Sequence, residues 1–149
     1  DQGKISADRM SMQAIREYLL QNPAEAQAIM NHNPRYIFFR LADNGPVGAL
    51  AVPLTPLRSI AVDRTLFPSA SLAFISVPVP KVNDQGRIAQ WEPLDGFVLA
   101  QDAGSAITGA GRVDLFWGFG PKAEMAAGNL KNEGRLYFLV LDPAAAAAP

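Results

Sequence analysis

The chain has 149 residues, 49% of them apolar, enough for one ordinary core and a small appendage. Thirteen basic residues against fourteen acidic ones leave a formal net charge of -1, so no electrostatic footprint points to nucleic acid or to an anionic membrane surface. Cysteine is absent and His32 is the single imidazole, which excludes disulfides, thiolate catalysis and thiolate metal sites.

The N-terminal DQGKISADRM has neither a charged n-region nor an apolar h-region, and no apolar run approaches the roughly 20 residues that span a bilayer, so a soluble chain without a visible targeting signal is expected. Ser11 precedes Met12, Ile15 and Leu19 at spacings of three and four, which predicts a Ser-capped amphipathic helix ending near Asn22. Pro23 opens a second helix that carries Ala26, Ile29 and Met30 to about Asn31 and stops before Pro34. Near Asn44-Gly45-Pro46 the composition shifts, marking the expected boundary between this helical lead-in and the remainder of the chain.

From Arg35 onward seven runs rich in β-branched and aromatic residues, RYIFFRL, GALAVPL, RSIAVD, SLAFISVPV, GFVLAQ, RVDLFWG and GRLYFLVL, alternate with Gly, Pro, Asn and Asp, which predicts a β-barrel or sandwich. Prolines at 53, 56, 78 and 80 confine their strands to edges, bulges or strand ends, so short, bent strands are expected. One helix interrupts the runs, with Pro121 at its first position, Ala123, Met125, Ala126 and Leu130 along it and Gly134 after it; it is placed over a barrel face. The tail DPAAAAAP is of low complexity and carries no assigned function.

The chemistry concentrates in AQDAGSAITGAGRVDLFWGFG, where one strand delivers Asp102 into a glycine-rich turn and the next carries Asp114. Glycines at 104, 109, 111, 118 and 120 permit close backbone approach, as a groove for an extended ligand requires. From the residues alone, a functional carboxylate pair and a pair of turn-capping aspartates are both open, and Asp63 at the end of SIAVD reads as a cap or as a polar-site residue. A hard cation held by the three aspartates is a further reading, although the dense carboxylate spacing of a calcium loop is absent. Gly104 and Gly109 have the outer spacing of a phosphate loop, but Ala110 and Gly111 stand where its Lys and Ser or Thr belong. His32, at a helix end, suits capping better than a catalytic triad. Trp117, three residues after Asp114, is better placed to stack on a sugar than Trp91, which follows the hairpin-like NDQGRIAQ.

Taken together, SMQAIREYLLQNP, NPRYIFFR, GPVGALAVPLTPLRSIAVD and AQDAGSAITGAGRVDLFWGFG resemble the membrane-bound lytic murein transglycosylase A family over nearly the whole chain. The later segments resemble its 3D domain, named for three aspartates that map onto Asp63, Asp102 and Asp114. The resemblance implies a mainly β fold, a double-psi β-barrel of the barwin and expansin type with short peripheral helices and an inserted smaller domain. Residues 1–45 would be the tail of that insert, 46–142 the second half of the barrel and 143–149 a tail, with the family's N-terminal half and its lipid-bearing cysteine outside this chain. Against the family pattern, Ala103, Ser105 and Thr108 replace a frequent Thr, a usual Gly and a usual basic residue, while the aspartates stay.

The same resemblance implies a lyase that cuts the β-1,4 bond between MurNAc and GlcNAc of peptidoglycan at the periplasmic face of a Gram-negative outer membrane. Asp114 and Asp102 would be catalytic, and Asp63, Gln101, Ser105 and Trp117 would bind the glycan, without metal or organic cofactor. Asp114 would protonate the glycosidic oxygen and then accept the C6 hydroxyl proton as the 1,6-anhydro ring closes. For that it must start protonated, which predicts burial beside Leu115, Phe116 and Trp117 and a like charge from Asp102. Partners would be the glycan strand and the rest of the parent protein, with membrane contact only through the absent lipid anchor. The alternative is a non-catalytic glycan-binding barrel module.

Overall fold

The computed structural model describes residues 3–39, 41–43 and 45–142. The chain divides into two compact units, residues 1–41 and 42–149. In the first, a 3-10 turn at Ala7–Arg9 precedes α1 (Met12–Gln21) and α2 (Pro23–Asn31). Ser11 is extended, and its hydroxyl accepts the Ala14 amide at 3.1 Å, satisfying one of the orphan donors of the first turn. Asn22 closes α1, and Pro23 starts α2 where its missing amide hydrogen has no partner to lose. Lys4 and Tyr18 both donate to Glu25, tying the leading segment and α1 to α2.

RYIFFRL, expected as a strand, is not one. Tyr36, Ile37, Phe38, Phe39 and Leu41 are 70% or more exposed and belong to no ladder; Arg40 lies outside the described residues. β-propensity says that a side chain suits a pleated surface, and the strand forms only where another lies beside it.

In the second unit five strands, β1 (Ser59–Ala61), β2 (Leu72–Val82), β3 (Ile88–Asp102), β4 (Asp114–Leu115) and β5 (Arg135–Phe138), form one sheet, with α3 (Pro121–Asn129) between the last two. The strand order is β4-β1-β3-β2-β5. β1 runs parallel to β3, and every other neighbouring pair is antiparallel. The fold is therefore mainly sheet with a few short helices, as expected. The sheet is open, however, and does not close into a barrel: β4 and β5 end it without pairing to each other. GALAVPL accounts for part of the difference. Its residues turn instead of extending, with Ala51 at φ 57° and a lone Val47–Pro53 bridge.

The expected strand GFVLAQ is only the inner end of β3, which begins eight residues earlier and pairs with β2 along its length. The hairpin tip is Asn83–Arg87, where the Asn83 side chain accepts the Gln85 and Arg87 amides at 3.0 Å each. Along the outer half of this ribbon Pro78 faces Pro93. The β5 ladder ends at Ser76, so Pro78 and Pro80 sit on an edge, as their missing donors require. Their strand is nonetheless 11 residues long rather than short.

The core lies on one face of the sheet, where Ile60, Val62, Val98 and Ala100 of the central strands meet Ala73, Ile75, Val77 and Val79 of β2. Each fully buried Ile or Val there stabilises the fold by about 1.5–3 kcal/mol. The α3 helix covers part of this face through Ala126, which is 2% exposed. The sheet curls about this core far enough that residues from both edges, Asp114 and Leu115 on one side and Arg135 and Leu136 on the other, line a single cleft of about 940 Å³.

Candidate active site

One irregularity decides what the other face of the sheet presents. Along β3, Val98 and Ala100 point into the core, and strict alternation would send Asp102 the same way. Instead the register with β1 slips by one: Ile60 pairs with Ala100, but Ala61 pairs with Asp102, leaving Gln101 as the extra residue of a bulge. Asp102 thereby joins the face of Ala61. On the other flank of β1, Ala61 pairs with Asp114. The two aspartates thus stand on either side of one alanine, about two strand spacings or roughly 10 Å apart at the backbone, and on the same face. Asp63 follows two residues beyond Ala61, past the end of β1.

Each carboxylate has different company. The Oδ1 of Asp63 accepts the Thr65 hydroxyl at 2.6 Å and the Thr65 amide at 2.9 Å, and its Oδ2 accepts the Gly109 amide at 2.7 Å. These bonds, the Thr65 hydroxyl foremost, hold the Asp63 carboxyl below the usual range. Asp63 therefore caps its own turn and pins the glycine-rich loop, where Gly109 takes φ 84°. Asp102 accepts the Ala49 amide at 3.0 Å from the loop folded over the strand end. That loop approaches closely: a Cβ on Gly48 would lie 2.4 Å from the Gln101 carbonyl oxygen.

Asp114 is not buried as expected. Its side chain is 50% accessible, and Arg112, two residues earlier on the same extended segment, holds both its oxygens, Nε to Oδ1 at 3.1 Å and a terminal nitrogen to Oδ2 at 3.3 Å. The pairing, mainly through these hydrogen bonds, raises the already high Arg112 pKa further. Burial fails here because β4 is two residues long and forms the sheet edge, so only Leu115 turns toward the core.

Of the other residues singled out in the sequence, Gln101 accepts a 2.6 Å hydrogen bond from the wholly buried Ser59 hydroxyl. Ser105 is exposed in the glycine-rich loop. Trp117 packs against the core and lines the cleft with Asp114, and its buried Nε1 has no hydrogen-bond partner. His32 ends α2, its amide bonded back to the Ile29 and Met30 carbonyls. Among the described residues no cluster of three His, Cys, Asp or Glu side chains could hold a metal ion. Sequence reasoning missed Arg112 and the Ser59–Gln101 bond; the i, i+2 spacing of Arg112 and Asp114 in an extended run was the available signal for the first.

Residues 58–140 match the 3D domain family, and residues 1–40 match the MltA specific insert domain. The chain belongs to the membrane-bound lytic murein transglycosylase A family. Its similarity to the family member of that name from Vibrio cholerae is 30% identity over 151 residues, covering 100% of this chain and 40% of the relative. The crystal structure of MltA from Neisseria gonorrhoeae superposes with a TM-score of 0.81 at 37% identity, over 96% of this chain and 35% of that one. The structure of Escherichia coli MltA with bound chitohexaose gives a TM-score of 0.78 at 32% identity, over 96% of this chain and 42% of that one. The chain thus spans about two fifths of the length of the curated relatives it matches.

Proposed function

We propose that this chain carries the catalytic carboxylate of a lytic transglycosylase that cleaves the MurNAc–GlcNAc bond of peptidoglycan and leaves 1,6-anhydro-MurNAc ends. The observation that carries the reading is the pairing of Ala61 with Asp102 on one flank and Asp114 on the other, with Asp114 itself lining the cleft that residues from both sheet edges form. Membership of the family, and a relative whose structure holds chitohexaose, support a glycan in such a cleft.

A hydrolysing glycosidase uses two carboxyl groups, one to protonate the leaving oxygen and one to supply or activate the nucleophile. Here the nucleophile is the muramic acid's own C6 hydroxyl, and intramolecular attack gains roughly 7–11 kcal/mol when aligned. One carboxyl group then suffices. Asp114 gives its proton to the glycosidic oxygen as the C1–O bond breaks, the C6 oxygen bonds to C1, and Asp114 takes the C6 hydroxyl proton, returning to its starting state. Asp102, one strand away from β4 across Ala61, positions and tunes Asp114. Gln101, Ser105 and Trp117 contact the glycan, and Asp63 shapes the loop that receives it. No metal or organic cofactor takes part.

In this reading residues 46–142 form the second half of a double-psi barrel, with the curl of the open sheet as its half-wall, and residues 1–45 form the end of the inserted domain. The remainder of the parent protein would complete the groove, and the enzyme would work at the periplasmic face of a Gram-negative outer membrane. The test is Asp114→Asn in the full-length enzyme. Loss of anhydro ends from digested peptidoglycan, read by mass spectrometry with glycan binding retained, is the expected outcome; near-normal release rules the assignment out. A non-catalytic glycan-binding module is the second reading, favoured by one observation: both Asp114 oxygens are occupied as acceptors by Arg112. The same experiment decides it, because a binding module releases no anhydro ends before the substitution either.

A further inference from the structure

An acid that must hand over a proton is held here by a group that never releases its own. Arg112 donates to both oxygens of Asp114, and a guanidinium offers donors only, so on the side that faces the fork neither oxygen can carry the proton that a leaving group needs. For Asp114 to act, Arg112 has to find another acceptor. The pair lies at the cleft, where Lys131, Arg135 and Glu133 also line the wall. With Arg112 and Asp114 neutralising each other, two cations remain there against one anion. The wall therefore favours an incoming anion.

We propose that Arg112 is an anion-responsive clamp: a carboxylate carried by the glycan, on the lactyl group of the muramic acid or on the stem peptide, takes Arg112 from Asp114 and so frees the acid only when a muramoyl unit is in place. This deepens the lytic transglycosylase reading and rests on it. Arg112 is a positioning residue, since it acts through Asp114. Its bidentate fork suits the role because guanidinium exchanges one planar carboxylate for another without loss of geometry. The exposure of the pair, 51% for Arg112 and 50% for Asp114, leaves the exchange open to an arriving strand.

The experiment compares kcat/KM of the full-length enzyme on three glycans: peptide-free strands with free lactyl carboxylates, the same strands with those carboxylates converted to primary amides, and peptide-bearing strands whose carboxylates lie on the stem. The wild-type enzyme is expected to prefer a carboxylate-bearing strand over the amidated one by about tenfold, the order of one charge-assisted hydrogen-bond exchange. A preference seen with peptide-free strands assigns the lactyl group; one confined to peptide-bearing strands assigns the stem. R112Q should bring the values together, while R112K, a point charge without the fork, should keep a smaller preference. A wild-type ratio near one overturns the clamp without recourse to any variant. So does a folded R112Q enzyme that keeps the full preference, or one that has lost activity on the amidated strand as well. Asp114→Asn is run alongside: if it still releases anhydro ends, the acid–base reading itself fails, whatever the ratios.

Discussion

The two faces of β1 contrast within five residues. Ile60 and, just past the strand end, Val62, each 1% exposed, serve the core, while Ser59 and Ala61 serve the face on which Asp102 and Asp114 stand. The first face is held by packing, which tolerates no loss of volume, and the second by hydrogen bonds between a strand end and two loops. The difference teaches that stability and chemistry can be built on alternate residues of one short strand, so that each can be damaged with limited effect on the other.

The sharpest break of that contrast is Asp114→Asn, expected to lower anhydro-product formation by about 10²–10⁴-fold, the contribution typical of a positioned acid–base group. Its thermal unfolding should stay close to that of the parent, since the side chain is half exposed at a sheet edge. Ile60→Ala should do the reverse. Urea denaturation is expected to show a loss of about 2–5 kcal/mol, as for other buried Ile-to-Ala changes, with kcat retained below the melting range. Gly48→Ala tests the join between loop and strand. The added Cβ meets the backbone oxygen of Gln101 at 2.4 Å and Leu54 Cδ2 at 2.7 Å, so the loop must lift, at about 1–3 kcal/mol. The Ala49 bond to Asp102 goes with it, and loss of protection of the Ala49 amide in hydrogen exchange would register this.

The smallest effect concerns Asp63. Its folded pKa lies below the unfolded one, so its ion contributes stability that is complete above about pH 3.9 and disappears as pH falls through the folded value. Wild type should exceed Asp63→Asn in urea midpoint at pH 6, and the margin should shrink below pH 4. A margin independent of pH would mean that the ionised carboxylate is not what holds Gly109.

How much of this was legible in the sequence depended on how local the signal was. The Ser11 cap, Pro23 and Pro121 at helix starts, and the apolar alternation of SLAFISVPV are decided within a few residues, and the structure follows them. The outer half of β3 was not legible, because IAQWEPLD lies on a ribbon paired only with β2, where Leu94 alone packs against the core and alternation carries little apolar signal. RYIFFRL had the composition of a strand but no neighbour among the described residues, and GALAVPL is bent by Ala51 and by the Leu50 amide's bond to Gln101. At the site, the three aspartates were legible as types at their positions. The partner of Asp114 was not, since an edge strand of two residues leaves side-chain exposure to be settled by tertiary context. The expected boundary at 44–46 includes Asn44, and the low-complexity tail runs on from Pro143; both residues lie outside the described ones.

The supernumerary Gln101 shows what a single insertion can do. Deleting it would restore an unbroken two-residue rhythm along β3, and Asp102, then next after Ala100, would still fall opposite Ala61 on the same face. The wholly buried Ser59 hydroxyl, however, would lose its acceptor. A frame-preserving loss of one codon there would therefore leave the acidic rim in register and cost a buried hydrogen bond, the same bond that a change of side chain at 101 would remove.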